Sequence, residues 1–166
     1  AGFKHRCGWW AMRIQSGTVD HFHCKSDTRN RSLIYEWSNY RYAESTLNSS
    51  KNNSDDWLDP FQVQEGWFEV DLNTMLLVAT SQIPDELRAK AEKTAEKLNS
   101  EKIRENRQLW YADHRIRGLH IDLLKEYAPL VGLAEEKRLK EAAERKKKQV
   151  ELRAMLRFEP SDLTIE

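Results

Sequence analysis

At Pro84 the chain changes character. Before it lie short apolar and aromatic pieces separated by Asn, Ser, Asp and Gly; after it the sequence is charged and helix-forming. Pro84 suits the first position of a helix, and Asp85 and Glu86 favour the positive end of its dipole. Leu87, Ala91, Ala95 and Leu98 then recur at four, four and three residues, which lays one apolar stripe along that helix. The same pattern predicts a second helix over about 102–114, with Gly118 ending or following it, and a third over 121–127, stopped near Pro129. A last helix is predicted over about 134–157, with Leu139, Ala142, Ala143, Val150 and Leu156 as its apolar residues and Lys146-Lys147-Lys148 interrupting them. So lean a helix packs weakly, and it gains stability by docking on a partner or on a second copy of the chain.

Ahead of Pro84, Trp67-Phe68-Glu69-Val70-Asp71-Leu72, then Asn73-Thr74, then Met75-Leu76-Leu77-Val78 has the aromatic and β-branched content of a hairpin with an Asn-containing turn. Asp59-Pro60 reads as a turn leading into it. Residues 1–53 are rich in Trp, Tyr, His, Asn and Ser, with strand-like pieces. The expected fold class is therefore α+β, with a mixed part over 1–80 and a helical part over 81–166 for packing and partner docking.

Composition limits the function classes. With 166 residues, 39% hydrophobic and 33% charged, the chain fits one modest domain, or a small one with a helical extension, and its core is lean. Its longest apolar run, residues 75–79, falls far short of the ~18 residues of a membrane span. No signal peptide is visible, although the chain opens at Ala1 rather than Met, which leaves an earlier start open. Cys7 and Cys24 form neither a C-x-x-C pair nor a disulfide framework, so a reduced cytoplasm is the expected compartment. The zero net charge is unevenly spread. Residues 1–53 carry eight Lys/Arg against four Asp/Glu, whereas residues 54–83 carry six acids and no Lys or Arg. The excess in the first segment argues mildly for a polyanionic partner there.

The chemistry-bearing residues lie in that first segment: Val19-Asp20-His21-Phe22-His23-Cys24-Lys25, then Glu36-Trp37-Ser38-Asn39-Tyr40, then Leu47-Asn48-Ser49-Ser50-Lys51. A hard divalent cation takes oxygen ligands, and Mg²⁺ commonly uses one or two protein ligands plus water and phosphate oxygens. Asp20 and Asn48 could supply that small set. Unperturbed histidine has a pKa near ~6.5, so a neutral imidazole at position 21 (His21) could accept a proton from water. Lys51 lies three residues after Asn48, on the same face of a helix, and could meet a phosphate as a point charge.

The order Asp-His, then Asn, then Asn-x-x-Lys resembles the motif of HNH (ββα-metal) endonucleases, including the nine-residue step from Asn39 to Asn48. The resemblance implies two strands and a helix gripping one Mg²⁺ or Mn²⁺ ion, with Asp20 and Asn48 as ligands, His21 as general base and Asn39 holding the base and its loop. The likeness is closer to a bacterial branch reading roughly Asp-His-Phe-Arg-Pro-Lys, Glu-Trp-Ser-Asn-Tyr and Leu-Asp-Pro-Phe. Leu58-Asp59-Pro60-Phe61 and Glu65-Gly66-Trp67-Phe68 extend it over roughly 4–80. Relatives of that branch are associated with anti-phage defence, sometimes beside an SMC-like ATPase, as in Septu-type systems. The implied activity is metal-dependent hydrolysis of DNA with low sequence specificity, leaving 5′-phosphate and 3′-hydroxyl ends. Lys25, Arg29, Arg31, Arg41 and Lys51 are the candidate phosphate contacts.

The chain departs from the pattern in three places. Trp10 stands where a cysteine partner of Cys7 would be, and Thr46 and Leu47 precede Asn48 without a cysteine pair, so no structural zinc is expected. The motif must then be held by packing, with Trp9, Trp10, Trp37 and Phe61 as the candidates. His23 and Cys24 replace the commoner Arg and Pro. If the strand continues, His23 shares a face with His21, either serving the scissile phosphate or the metal, or standing as a surface substitution. Two other readings use the same residues: a non-catalytic interaction subunit on an HNH scaffold, and an HNH toxin that cleaves transfer RNA.

Overall fold

The computed structural model describes residues 3–51 and 56–156. The chain divides into two compact units, Ala1–Ala134 and Glu135–Glu166. The architecture is α+β, with two small antiparallel sheets and several helices among the described residues. Strand β1 (Thr18–His21) pairs with β2 (Tyr40–Ala43), setting Thr18 opposite Ala43 and His21 opposite Tyr40. Between them the chain makes two short 3₁₀ turns, Thr28–Leu33 and Trp37–Asn39. Helix α1 (Ser45–Lys51) follows β2 after one residue, Glu44, and packs back on β1.

Glu44 starts that helix. Its carboxylate accepts hydrogen bonds from the backbone N–H groups of Thr46 (2.9 Å) and Leu47 (3.0 Å), donors left unsatisfied in the first turn. Burial pushes the Glu44 carboxyl up, but its bonds to Thr46 and Leu47 and the ammonium of Lys102 outweigh this and hold it below the usual range.

The second sheet joins β3 (Phe68–Asp71) to β4 (Leu76–Ala79), with Asp71 opposite Leu76. Its connection is four residues long, not the expected Asn73-Thr74 pair. Asp71 accepts from the Asn73 N–H (2.9 Å) and the Thr74 hydroxyl (2.8 Å), and Met75 takes a positive φ of 58° to re-enter the sheet. Helix α2 (Asp85–Lys97) packs on β4. Of the predicted stripe, Ala91, Ala95 and Leu98 are buried and Leu87 lies partly buried against the core. Helix α3 (Glu101–Arg117) ends at Gly118, whose φ of +74° is the left-handed cap that glycine adopts without strain. Helix α4 (Ile121–Tyr127) stops before Pro129, as expected, but α5 (Pro129–Leu156) begins at that proline rather than near residue 134. Proline at the first helical position has the right φ and loses no hydrogen bond, so one residue closes one helix and opens the next. The expected final residue of that helix, Arg157, lies outside the described residues.

One hydrophobic core draws on Trp9, Trp10, Leu47, Trp57, Trp67, Leu77 and Ile103. Trp37, expected to help pack the motif, is instead 84% exposed, and Phe61 is 57% exposed, although stacked on Phe3 and under Arg41. Arg107 is buried and, among the described residues, has no carboxylate partner. Its guanidinium donates to the carbonyls of Met75 and Leu98 (2.8 Å each) and to Asn99 Oδ1 (3.1 Å), tying α3 to the hairpin turn and to the end of α2. Burial lowers its pKa to about 10, which still leaves it charged at neutral pH. In the unit Glu135–Glu166, Glu135 and Arg138 form a two-bond ion pair (2.6 Å each), while Leu139, Val150, Leu152 and Met155 are exposed. Among the described residues no helix is long and apolar enough to cross a membrane.

Two outcomes follow from these contacts. Replacing Arg107 by Met removes the donor for two buried carbonyls and is expected to cost about 3 kcal/mol, read as a lower thermal midpoint by circular dichroism. Glu44→Gln is expected to lose about 0.5–2 kcal/mol at neutral pH. Because the folded carboxyl titrates below its unfolded value, its stabilisation is full above the unfolded pKa and lost as pH falls through the folded one. Urea unfolding of the two proteins should therefore differ near neutrality and converge in acid.

Candidate active site

Strand β1 distributes the motif to its two faces. Side chains alternate along a strand and repeat every three or four residues on a helix. Thr18 and Asp20, two apart on β1, accordingly meet Asn48 and Lys51, three apart on α1. The Asn48 Nδ2 donates to Thr18 Oγ1 (2.9 Å), and the Lys51 ammonium lies 3.1 Å from Asp20 Oδ2. His21 turns the other way, to the segment ahead of β2.

The Asp20–Lys51 pair is buried: the two side chains keep only 7% and 2% of their exposure. Lys51 also donates to the carbonyls of Phe22 (3.3 Å) and His21 (3.5 Å), and its ammonium lies 5.5 Å from the centre of the Trp9 ring. Asp20 Oδ2 has no partner in hydrogen-bond alignment, so charge alone holds it. Burial pushes the Asp20 carboxyl up, opposed by Lys51 and then by His21 and Arg41.

His21 is anchored through Nε2, 3.0 Å from the carbonyl oxygen of Ile34. A carbonyl only accepts, so Nε2 carries the proton and Nδ1 is the proton acceptor of the neutral ring. The same carbonyl accepts from the Tyr40 hydroxyl (2.9 Å), and the Tyr40 ring lies edge-on to His21, 4.9 Å between centres.

Asn39 is buried and its carboxamide is fully used. Oδ1 accepts from the His23 N–H (2.7 Å), and Nδ2 donates to the carbonyls of His23 and Leu33 (3.1 Å each). Its backbone carbonyl accepts from the Phe22 N–H (2.9 Å). Asn39 therefore fixes the bend that follows β1. That bend begins at Phe22, so the strand ends at His21 and the condition for His21 and His23 to share a strand face is not met. The His23 ring is exposed, edge-on to Phe22.

The five candidate phosphate contacts separate cleanly. Lys25, Arg29 and Arg31 are exposed, Arg29 being ion-paired to Asp27 at 2.6 Å. Arg41 and Lys51 are not surface cations. The Arg41 guanidinium is buried in a two-bond pair with Asp59 (2.8 and 2.6 Å), donates to the carbonyls of Ser38 and Tyr40, and lies 3.7 Å from the centre of the Phe61 ring. Asp59 Oδ1 also accepts from the Phe61 N–H (3.0 Å), so it closes its own turn and clamps β2. Sequence reasoning read Asp59-Pro60 as a turn, Leu58-Asp59-Pro60-Phe61 as part of the resemblance and Arg41 as a phosphate contact, without pairing Arg41 with Asp59. In β2 the structure buries Arg41 and Ala43 beside half-buried Tyr40 and Tyr42. Cys7 is buried, its sulfur accepting from the Glu44 N–H (3.4 Å), and burial pushes its thiol up, away from reactivity.

Among the described residues no group of three or more His, Cys, Asp or Glu is placed to hold a metal ion. The oxygens of Asp20 and Asn48 are of the hard type that Mg²⁺ or Mn²⁺ takes when water and phosphate complete its shell, but Asp20 Oδ2 is already ion-paired to Lys51 at 3.1 Å. Compared with family models, curated proteins and solved structures, the chain matches none.

The buried pair is open to a double-mutant cycle. Lys51→Met strands a carboxylate in the interior and is expected to cost about 3–5 kcal/mol in urea unfolding, with Asp20→Asn in the same chain restoring part of it. A Lys51→Met loss under about 1 kcal/mol, the size of an exposed pair, would show that the ion pair does not hold α1 to β1.

Proposed function

We propose that the chain is a metal-dependent endonuclease of the HNH (ββα-metal) kind, hydrolysing phosphodiester bonds of DNA with low sequence specificity. The observation that carries the reading is the state of His21. A carbonyl holds its Nε2 proton, Nδ1 is left as a base, and the next residue back is a buried aspartate, ion-paired to Lys51. The order β1, β2, α1 and the Asn39 bracket around residues 22–23 support it.

In this reading His21 takes the proton from the attacking water, while Ile34 and Tyr40 keep its ring from turning. Asn39 is a positioning residue: it fixes the backbone beyond His21 without touching the reacting atoms. Asp20 and Asn48 would hold the divalent cation, which supplies Lewis-acid polarisation of the phosphate and stabilises the leaving oxygen. Lys51 opposes the effect of burial on Asp20 and so favours its charged form, the one in which a carboxylate binds a metal. Lys25, Arg29 and Arg31 are exposed cations between β1 and β2 and would meet backbone phosphates, which fix register without reading sequence. The resemblance of residues 20–25, 36–40 and 58–61 to the defence-associated branch supports a cytoplasmic anti-phage effector, with an SMC-like ATPase as partner. The exposed apolar residues of α5 favour a docking role for that helix, whether to this partner or to a second copy.

The test is nicking of supercoiled plasmid by the purified chain in Mg²⁺ or Mn²⁺. Cleavage is expected to vanish with EDTA and to fall at least about 100-fold in His21→Ala, the usual contribution of a general base. Cutting that His21→Ala leaves unchanged would remove the assignment. A folded protein that cuts neither DNA nor RNA, alone or with its neighbouring gene product, would favour the interaction-subunit reading.

A further inference from the structure

Tryptophan is among the largest apolar side chains and on average highly buried, yet Trp37 is 84% exposed, and Tyr35, two residues before it, is 86% exposed. Neither sits on a slack segment. Trp37 opens the 3₁₀ turn that ends at Asn39, whose carboxamide is fully bonded, and its ring lies edge-on to Tyr40 at 5.5 Å. Tyr40 in turn lies 4.9 Å from the His21 ring and shares the Ile34 carbonyl with it. A rigid aromatic face is thus presented to solvent one ring away from the proposed general base.

The surroundings indicate what covers it. Glu36, between the two rings, and Ser38 after Trp37 are exposed and polar, which is unlike the apolar centre of a protein–protein interface, while Ile34 before Tyr35 is half-buried. Residues 22–37 carry Lys25, Arg29 and Arg31 against Asp27 and Glu36, a small cationic excess. That excess is too small for a surface that binds duplex chiefly through phosphates, where affinity scales with the number of cationic contacts. Flat aromatic area with a few cations suits an unpaired base, whose stacking is tolerant of sequence.

We propose that Trp37, assisted by Tyr35, is a stacking platform for an unpaired nucleobase of the DNA strand beside the scissile phosphate. The proposal rests on the nuclease reading for its substrate, but its test reads binding rather than cleavage. Fluorescence anisotropy of a short labelled oligodeoxynucleotide is measured on the full chain in EDTA, as single strand and as duplex. The proteins are wild type, Trp37→Ala, Trp37→Phe and, as an exposed apolar control on α3, Leu109→Ala. Wild type is expected to bind the single strand more tightly than the duplex. Trp37→Ala should weaken single-strand binding by roughly 5- to 100-fold, the range of one base–aromatic stack. Trp37→Phe should retain most of the affinity and Leu109→Ala all of it, with unchanged circular dichroism melts throughout. Single-strand affinity unchanged in Trp37→Ala, or wild type binding neither strand form, overturns the proposal, and tighter binding of the matching ribo-oligomer overturns its assignment to DNA. His21-dependent cutting with Trp37-independent binding would leave the nuclease standing without its platform. Trp37-dependent binding without cutting would do the reverse.

Discussion

Lys51 and Asp20 are held out of water together, and an ion pair in that position is tolerable only while both members stay. The desolvation of each charge is offset by the other, and for Lys51 by two backbone carbonyls of the residues that follow Asp20. The last residue of α1 is thereby fastened to the strand and bend that carry His21 and His23. The same fastening sets the electrostatics of the site. Burial raises the Asp20 carboxyl above its ordinary range even though the Lys51 ammonium opposes it, and one oxygen has no aligned donor.

A second layer of polar contacts does for His21 what the ion pair does for Asp20. The Ile34 carbonyl accepts from both His21 and Tyr40, and Asn39 brackets the backbone of the residues just beyond. These are neutral hydrogen bonds in a partly buried setting, where leaving any partner unmade costs more than the bond gains. The outcome is a histidine whose tautomer and ring plane are decided before any substrate arrives. Preorganisation of that kind is what general-base catalysis needs, since a wandering imidazole spends little time in line with its proton.

The Arg41–Asp59 clamp is the third support, and it explains why residues distant from the catalytic candidates carry so much of the pattern. Asp59 closes its own turn on the Phe61 N–H and then spends both oxygens on Arg41, while Phe61 lies under the guanidinium. Without cysteine pairs around the motif, a bidentate ion pair and an aromatic stack hold β2 to the segment that leads into the hairpin. Helix α2 secures the same segment from the other side, where Thr94 Oγ1 accepts from the Leu58 N–H at 2.8 Å.

The sequence by itself determined the α+β class, the hairpin ahead of Pro84, the apolar stripe of α2 and the glycine stop of α3. Each depends on local periodicity or on the backbone preferences of Pro, Gly and Asn, which act within a few residues. It also put Asp20, His21, Asn39 and Asn48 forward as candidates, because their residue types and order are written along the chain. Only the tertiary structure decided which charges are available. Arg41 and Lys51 look like Arg29 and Arg31 in sequence, yet the first two are buried by carboxylates 18 and 31 residues away. Likewise Trp37 cannot be told from Trp9 or Trp10 by composition; whether an indole joins the core depends on which face of a distant element meets it. Burial and ion pairing are long-range properties, fixed by what the fold brings together rather than by the residue's own neighbours.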